Sequence, residues 1–361
     1  MNKINKTEIG ALSFFLIRAF YIGVTFNNLI KIVKQDSYIS MIIGFILGFI
    51  PLFLIYIIFN YQPNLTLPQK NIKLFGSILG TIINIIITWF TFFLILILFG
   101  NFITFIYTQY LNKTPTLIIS ISFILPIIYV LLHDINTICR TAVLLLFFTI
   151  IFYLLSLIGL GSQMNLENFK PILEASNNIL FKGSFSFLTY NVLPLYLLLI
   201  IPKNNIKYKS FFKYITIFYI IASISLLIVL ITTIGIFGVK LCNLYEYPEF
   251  QVLKYVSLIG VSARIDGLLI IQWIFDYIIF IVFGLYFILE STKSLFKVNK
   301  YIYSIFLEII LIVLNELLYD NILFSNLTLS IFTNIIFIFI SSLLVIMCIT
   351  ISIKKYQQKS Q

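Results

Sequence analysis

Long apolar runs recur from one end of this chain to the other, and they limit its fold more than any other feature. A helix that crosses the hydrocarbon core of a bilayer needs roughly 20 apolar residues, and about ten segments of this kind can be marked. Of the 361 residues, 61% are hydrophobic and only 10% are charged, whereas soluble domains carry roughly 25% charged residues. The sequence therefore predicts an all-α integral membrane protein, with residues 1–361 forming a single membrane domain.

Positive charge is distributed unevenly between the two sides of the predicted spans. The spans cover residues 10–33, 38–60, 73–108, 116–133, 139–161, 181–201, 211–237, 264–290, 301–320 and 327–353. With the N-terminus inside, 15 of the 24 Lys and Arg residues fall on the cytoplasmic side and 8 on the outer side. Cytoplasmic loops carry an excess of these residues, so we predict that both termini are cytoplasmic. The net charge of +11 has the same origin and does not indicate a nucleic-acid partner.

The first and sixth predicted spans contain residues that make a poor helix at membrane depth. The first has a run of glycine, β-branched and asparagine residues between positions 22 and 28, and in the sixth Pro194 predicts a kink or unwinding near Tyr190. These spans hold equivalent places in two five-helix halves, residues 10–161 and 181–353. In inverted-repeat transporters, broken helices at equivalent places mark the substrate site. The alternative is that Gly and Pro are simply frequent in membrane helices.

Two carboxylates lie deep within predicted spans, Asp276 in the eighth and Glu308 in the ninth. Burying such a group costs several kcal/mol unless it is paired or protonated, so each is a candidate for ligand binding or for proton or ion coupling. Arg18 lies within the first span. It could pair with Glu308 or Glu316, or it could extend towards the cytoplasmic interface.

The third span carries Asn84 and Thr88 one helical turn apart, on one face. Polar pairs of this kind either contact a ligand or join neighbouring helices by hydrogen bonds, and both interpretations stay open.

Several classes of function find no support in the sequence. We find no phosphate-binding loop, no pairing of nucleophile and base and no glycine-rich nucleotide motif, so no enzyme is predicted. The three cysteines are far apart, and His133 is the only histidine. We therefore expect neither a metal site nor a cofactor.

Three stretches follow one another in an order and spacing that suggest one family. They are QDSYIS at residues 35–40, NFKPIL at residues 168–173, and a run from Tyr247-Pro248 through the string RID at 264–266 to Gln272-Trp273. Together they resemble the spore germination permease family, the B subunits of nutrient germinant receptors in endospore-forming bacteria. The resemblance covers nearly the whole chain.

The resemblance implies a LeuT-like fold of ten helices in two inverted repeats, as in amino acid–polyamine–organocation transporters. It implies a receptor subunit that binds a small nutrient, such as an amino acid, and signals to an A and a C subunit in the spore inner membrane. By position, the ligand would contact residues of spans one, three, six and eight: Gly23, Val24, Thr25, Phe26, Asn84, Thr88, Thr189, Tyr190, Asn191 and Asp276. The alternatives are a proton- or sodium-coupled amino acid transporter, with Asp276 or Glu308 as the coupling site, and a purely structural membrane anchor.

Overall fold

The computed structural model describes residues 3–20, 24–157, 160–207, 210–255, 266–293, 299–318 and 333–359. Over these ranges the chain is helical, and the single extended pairing described is a bridge between Ile4 and Ile206. The helices are α1 (Lys6–Arg18), α2 (Val24–Val33), α3 (Ser37–Leu47), α4 (Phe49–Asn60), α5 (Leu67–Phe75), α6 (Ser77–Gln109), α7 (Thr116–Leu131), α8 (Ile135–Leu157), α9 (Asn177–Val192), α10 (Phe211–Leu244), α11 (Pro248–Tyr255), α12 (Asp266–Lys293), α13 (Lys300–Leu318) and α14 (Thr333–Lys359).

The helices confirm the predicted all-helical membrane architecture. Eight helical stretches of the described chain are long and apolar enough to cross a membrane, and α7 is a shorter apolar helix. All ten predicted spans contain helix. Only eight stretches are long enough to cross a membrane, because α1 has only 13 residues and α7 only 16. Outward-facing side chains such as Ile46, Phe53 and Leu154 are about 60% exposed. Such a surface is compatible with lipid and not with water.

The core of the bundle is formed by α1, α12 and the second half of the sixth span. α1 packs against α8, α10 and α12, and α12 also packs against α6 and α8. The 3-10 helix Leu193–Ile200, which follows α9, is buried along its whole length. Because other helices surround these segments at Arg18 and Asp276, these polar groups are withdrawn from both water and lipid.

α3 and α9 approach closely at Gly44. A Cβ atom placed on Gly44 would lie 2.5 Å from the carbonyl oxygen of Ser184, which is backbone and cannot turn aside. We expect Gly44→Ala to lower the free energy of unfolding by about 1–3 kcal/mol, because the two helices must separate. Gly267→Ala is the matched control, since a Cβ there meets no atom of the described residues within 4 Å. Thermal unfolding in detergent compares the two variants, and equal melting temperatures would contradict the expectation.

The short helix α5 packs against α6 outside the spans. α5 begins with a capping box between Thr66 and Gln69, and Gly76, at a φ of +87°, separates the two helices. Lys70 is fully buried and donates a hydrogen bond to the carbonyl of Ile58 at 2.8 Å. Burial, with a smaller contribution from Lys203, lowers the pKa of Lys70 to about 7.

Loops that the charge pattern assigned to the cytoplasm meet at one end of the bundle. The backbone N–H of Ile4 donates to the carbonyl of Asn205 at 2.9 Å, and the backbone N–H of Asn204 donates to the carbonyl of Pro63 at 3.2 Å. At the same end, Lys300 donates to the carbonyl of His133 at 2.8 Å and Lys354 to that of Lys73 at 2.8 Å. These contacts support the grouping of the loops, while the side of the membrane that they face stays a prediction.

Candidate functional site

The first span leaves its helix in a turn at Ala19 and Phe20, just before the predicted break, and residues 22 and 23 of that break lie outside the described part of the chain. α1 ends at Arg18 and α2 begins at Val24, so Thr25 to Asn28, which we expected to be unwound, are helical. The hydroxyl of Thr25 donates to the carbonyl of Phe20, and the amide of Asn27 donates to the carbonyl of Tyr245 at 2.7 Å. These side-chain hydrogen bonds stabilise the start of α2, which the sequence pattern alone did not reveal. Gly23 and the side chain of Val24 lie outside the described part of the chain.

The sixth span changes its helix type close to Tyr190. α9 continues to Val192, and the 3-10 helix Leu193–Ile200 begins immediately before Pro194. The predicted kink or unwinding near Tyr190 takes the form of this change of helix type, three residues further along the chain. Proline is tolerated in the first turn of a helix, where its missing N–H is not needed, so the change falls at the start of a new segment. A long 3-10 segment within a helix often marks a functional hinge.

Three predicted ligand residues lie on consecutive positions of the sixth span, and all are buried. The hydroxyl of Thr189 donates to the carbonyl of Phe185 at 2.7 Å in its own helix. The hydroxyl of Tyr190 lies 2.8 Å from that of Thr333 on α14. The amide oxygen of Asn191 accepts a hydrogen bond from Ser223 of α10 at 3.1 Å. Within the described structure its amide nitrogen has no partner.

Arg18 forms a buried ion pair with Asp276. Its Nη2 lies 3.2 Å from Oδ2 of Asp276, and the two side chains are 4% and 0% exposed. The two interpretations offered for Arg18 were therefore wrong, since it neither reaches the interface nor pairs with Glu308 or Glu316. The sequence could not reveal this pair because Arg18 and Asp276 are 258 residues apart and are brought together only by the packing of α1 on α12.

A small space beside Arg18, which we call the inner cavity, lies between α1, α2, α8, α10, α11 and α12. Its volume of about 10 Å³ leaves room for roughly one water molecule. Among the described atoms, Nε of Arg18 and Oε1 of Gln272 are buried without a hydrogen-bond partner. The residues that line the inner cavity are Arg18, Phe26, Tyr153, Ser225, Leu226, Val229, Glu249, Leu269, Gln272 and Trp273.

α11 closes the inner cavity from the end of the bundle opposite the loops around Asn205. It packs against α2, α10 and α12, and its Phe250 is fully buried. Phe105 of α6 packs edge to face against Phe250 at 5.3 Å, and its ring lies tilted at 4.6 Å from that of Trp273. Residues 248–255 therefore form a cap over the inner cavity, to which Glu249 contributes directly. We did not predict that Tyr153 and Glu249 would line a cavity, and neither has a sequence signal that could have shown it.

A larger space, which we call the vestibule, opens between α2, α9 and α14. Its volume is about 830 Å³, within the range of small-molecule sites. Thr25 and Tyr190, both predicted ligand residues, line it together with Lys31 and Lys182, and the described lining contains no carboxylate. The remaining lining residues are Asn28, Ile32, Phe181, Phe185, Ser186, Asn334 and Ile338.

The other predicted site residues lie apart from both cavities. Asn84 accepts a hydrogen bond from Asn71 at 2.7 Å and donates to the carbonyl of Pro68 at 3.0 Å, so it joins α6 to α5. Thr88 donates to the carbonyl of Asn84 and faces a different space between α6, α12 and α13. Of the two interpretations of this pair, the contacts favour helix joining over ligand binding. Glu308 of α13 is buried, and neither of its carboxylate oxygens has a partner within the described ranges.

Two of the three family-like stretches contact each other. The carboxylate of Asp36 accepts backbone hydrogen bonds from Leu173 at 2.8 Å and Ala175 at 2.9 Å. The amide of Gln35 donates to the carbonyl of Pro171 at 2.8 Å, and the rings of Tyr38 and Phe169 pack edge to face at 5.7 Å. The stretch after the first span therefore holds the loop between α8 and α9 in place.

A family model described as spore germination protein, the spore permease family, matches residues 10–323. The chain belongs to this family. No curated protein sequence matches it. Two solved structures that resemble this spore permease are transporters. A Na⁺-coupled sialic acid symporter has a TM-score of 0.59 at 14% identity, over 94% of this chain and 76% of that one. A mutant of the manganese transporter of Eremococcus coleocola has a TM-score of 0.54 at 11% identity, over 95% and 78%. At these identities the likeness establishes a LeuT-like transporter fold for the spore permease and nothing more.

Proposed function

We propose that this spore permease is the ligand-binding membrane subunit of a nutrient germinant receptor, located in the spore inner membrane with both termini in the cytoplasm. It binds a small germinant, an amino acid, and signals to the A and C subunits. The observation that carries the proposal is the vestibule, because it is lined by residues of both spans that were expected to hold the ligand, Thr25 and Tyr190. Lys31 and Lys182 in its wall give it a positive potential that would attract a carboxylate.

A ligand in the vestibule would contact elements that can move relative to one another. α2 follows the turn in which α1 ends, α9 gives way to a 3-10 helix at Leu193, and α14 contributes Asn334. A ligand shifts a conformational equilibrium when it binds one arrangement better than the other. The receptor proposal therefore needs no passage of the ligand across the membrane, only a difference in affinity that the partner subunits detect.

Ser186→Trp tests the vestibule directly, since Ser186 lines it. We expect the larger side chain to raise the germinant concentration for half-maximal germination at least roughly tenfold, a loss of about 1.4 kcal/mol of binding free energy. Ser342→Trp is the matched control, because Ser342 is exposed on α14. Both variants should be present in spore membranes at the wild-type level. If both germinate with unchanged sensitivity, the vestibule is not the germinant site.

A second candidate function is a coupled amino acid transporter, with Asp276 or Glu308 as the coupling group. It is favoured by the buried carboxylate of Glu308, since such a group within a membrane is often part of a proton relay. Under this alternative Glu308→Gln is expected to abolish the pH dependence of amino acid uptake into proteoliposomes. Under the receptor proposal, wild-type proteoliposomes should show neither uptake nor counterflow under any ion gradient. Uptake by the wild type would therefore decide for the transporter.

A further inference from the structure

The first half of the broken span ends at a positively charged residue. Arg18 is the last residue of α1. The last four carbonyl groups of a helix have no partner within it, and the helix dipole places partial negative charge at that end. In transporters with discontinuous spans, ends of half-helices within the membrane coordinate the coupling cation. The end of α1 therefore favours a positive charge, and the guanidinium of Arg18 supplies that charge.

The guanidinium of Arg18 is held in place from two sides. Asp276 of α12 lies 3.2 Å away, and the ring of Phe14, one turn earlier in α1, lies 4.9 Å from the guanidinium carbon. A cation over an aromatic face gains further stabilisation when both are withdrawn from water. The positive charge is therefore fixed between α1 and α12, and the pair leaves no net charge on these two side chains.

The surroundings of the guanidinium leave little room for an additional cation. The inner cavity beside it holds roughly one water-sized group. Glu249 and Gln272 also line this cavity and offer oxygen atoms. A metal ion there would nevertheless lie next to the guanidinium, and two like charges in a medium of low dielectric constant repel strongly. The cavity has room for a neutral molecule the size of water, which would bring no such repulsion.

We propose that Arg18 takes the place of a coupling cation between α1 and α12, so that this spore permease binds its ligand without Na⁺ or another metal cation at this position. The inference concerns the break described under the proposed function, but it does not depend on which ligand binds. Its test uses the protein without ligand, so it can hold or fail independently of the germinant assignment.

The first measurement compares cations on the purified, full-length wild type. We expect the apparent melting temperatures in sodium chloride and in N-methylglucamine chloride of equal ionic strength to agree within about 1 °C, since a site that binds no Na⁺ gives no mass-action stabilisation. A saturable rise of about 2 °C or more in Na⁺ alone would overturn the proposal.

The second measurement uses a variant without the guanidinium between α1 and α12. Arg18→Ala leaves the carboxylate of Asp276 buried without its partner, together with a space the size of a guanidinium. We expect this variant to melt earlier than the wild type and to regain about 2 °C or more in millimolar guanidinium, far below denaturing concentrations. N-methylglucamine, which is too large for the space, should not restore it.

The control for this rescue is the double variant Arg18→Ala/Asp276→Ala, which lacks the carboxylate that would hold the added cation. We expect it to show no response to guanidinium. The proposal would be overturned if guanidinium did not raise the melting temperature of folded Arg18→Ala. An equal rise in the double variant would overturn it as well. The wild-type comparison requires no variant, so it decides the matter even if Arg18→Ala cannot be purified.

Discussion

Replacing Asp276 with alanine is expected to lower the free energy of unfolding by about 3–5 kcal/mol, because it leaves the guanidinium of Arg18 buried without a counter-charge. The two side chains are 0% and 4% exposed, so water cannot compensate for the lost partner. In a thermal unfolding experiment in detergent, a loss of this size corresponds to a fall of about 6 °C or more.

The control for Asp276→Ala is an exposed ion pair within one short stretch of chain. Lys170 and Glu167 are 2.7 Å apart, with side chains 63% and 68% exposed. Exposed pairs are worth about 0–1 kcal/mol, so Glu167→Ala should change the melting temperature by no more than about 4 °C. If the two variants lost the same stability, the ion pair would not be an important part of the membrane core.

Asp36→Ala is expected to release the loop between α8 and α9. The substitution removes the acceptor for the backbone N–H groups of Leu173 and Ala175. Leu173 is 65% exposed, so water can replace part of the lost acceptor, and a loss of about 1–3 kcal/mol is expected. Limited proteolysis of detergent-solubilised protein should then cleave within residues 161–176 faster than in the wild type.

Asp36→Asn separates the hydrogen bonds of Asp36 from its charge. An asparagine retains one acceptor oxygen, so its cleavage rate should lie between those of the wild type and Asp36→Ala. Equal cleavage rates in all three proteins would contradict the contact between Asp36 and this loop.

The architecture could be predicted from sequence because hydrophobic length is a local property. Each span can be recognised from its own apolar residues, and every one of the ten predicted segments contains helix. The grouping of loops by Lys and Arg was also recoverable, as the contacts of Lys300 and Lys354 show. The relation of residues 10–161 to residues 181–353 as inverted repeats stays a prediction.

The positions of the breaks were predicted only approximately, because they depend on tertiary contacts. Asn27 looked like a helix-breaking residue, yet its side chain is satisfied by the carbonyl of Tyr245, and α2 forms around it. Pro194 looked like the source of a kink, yet the chain accommodates it at the start of a 3-10 helix. A residue type gives the cost of a local conformation, whereas a distant partner decides whether that cost is offset.

The candidate site was predicted in part for the same reason. Thr25 and Tyr190 were found because each lies next to an unusual run within its own span, and they line one vestibule. The partner of Arg18 and the capping of the inner cavity by Glu249 depend on how α1, α11 and α12 pack together. No pattern within a single span carries that information.

The most direct test of the proposed function is thermal stabilisation of the full-length protein by a panel of amino acids, sugars and nucleosides, with the proposed A and C subunits co-expressed. A ligand that binds only the folded state adds about 2.7 kcal/mol at a hundredfold excess over Kd. We expect at least one amino acid to raise the apparent melting temperature, and the Ser186→Trp complex to need a higher concentration for the same rise. A panel without any stabilising amino acid would contradict the assignment of this chain as the ligand-binding subunit.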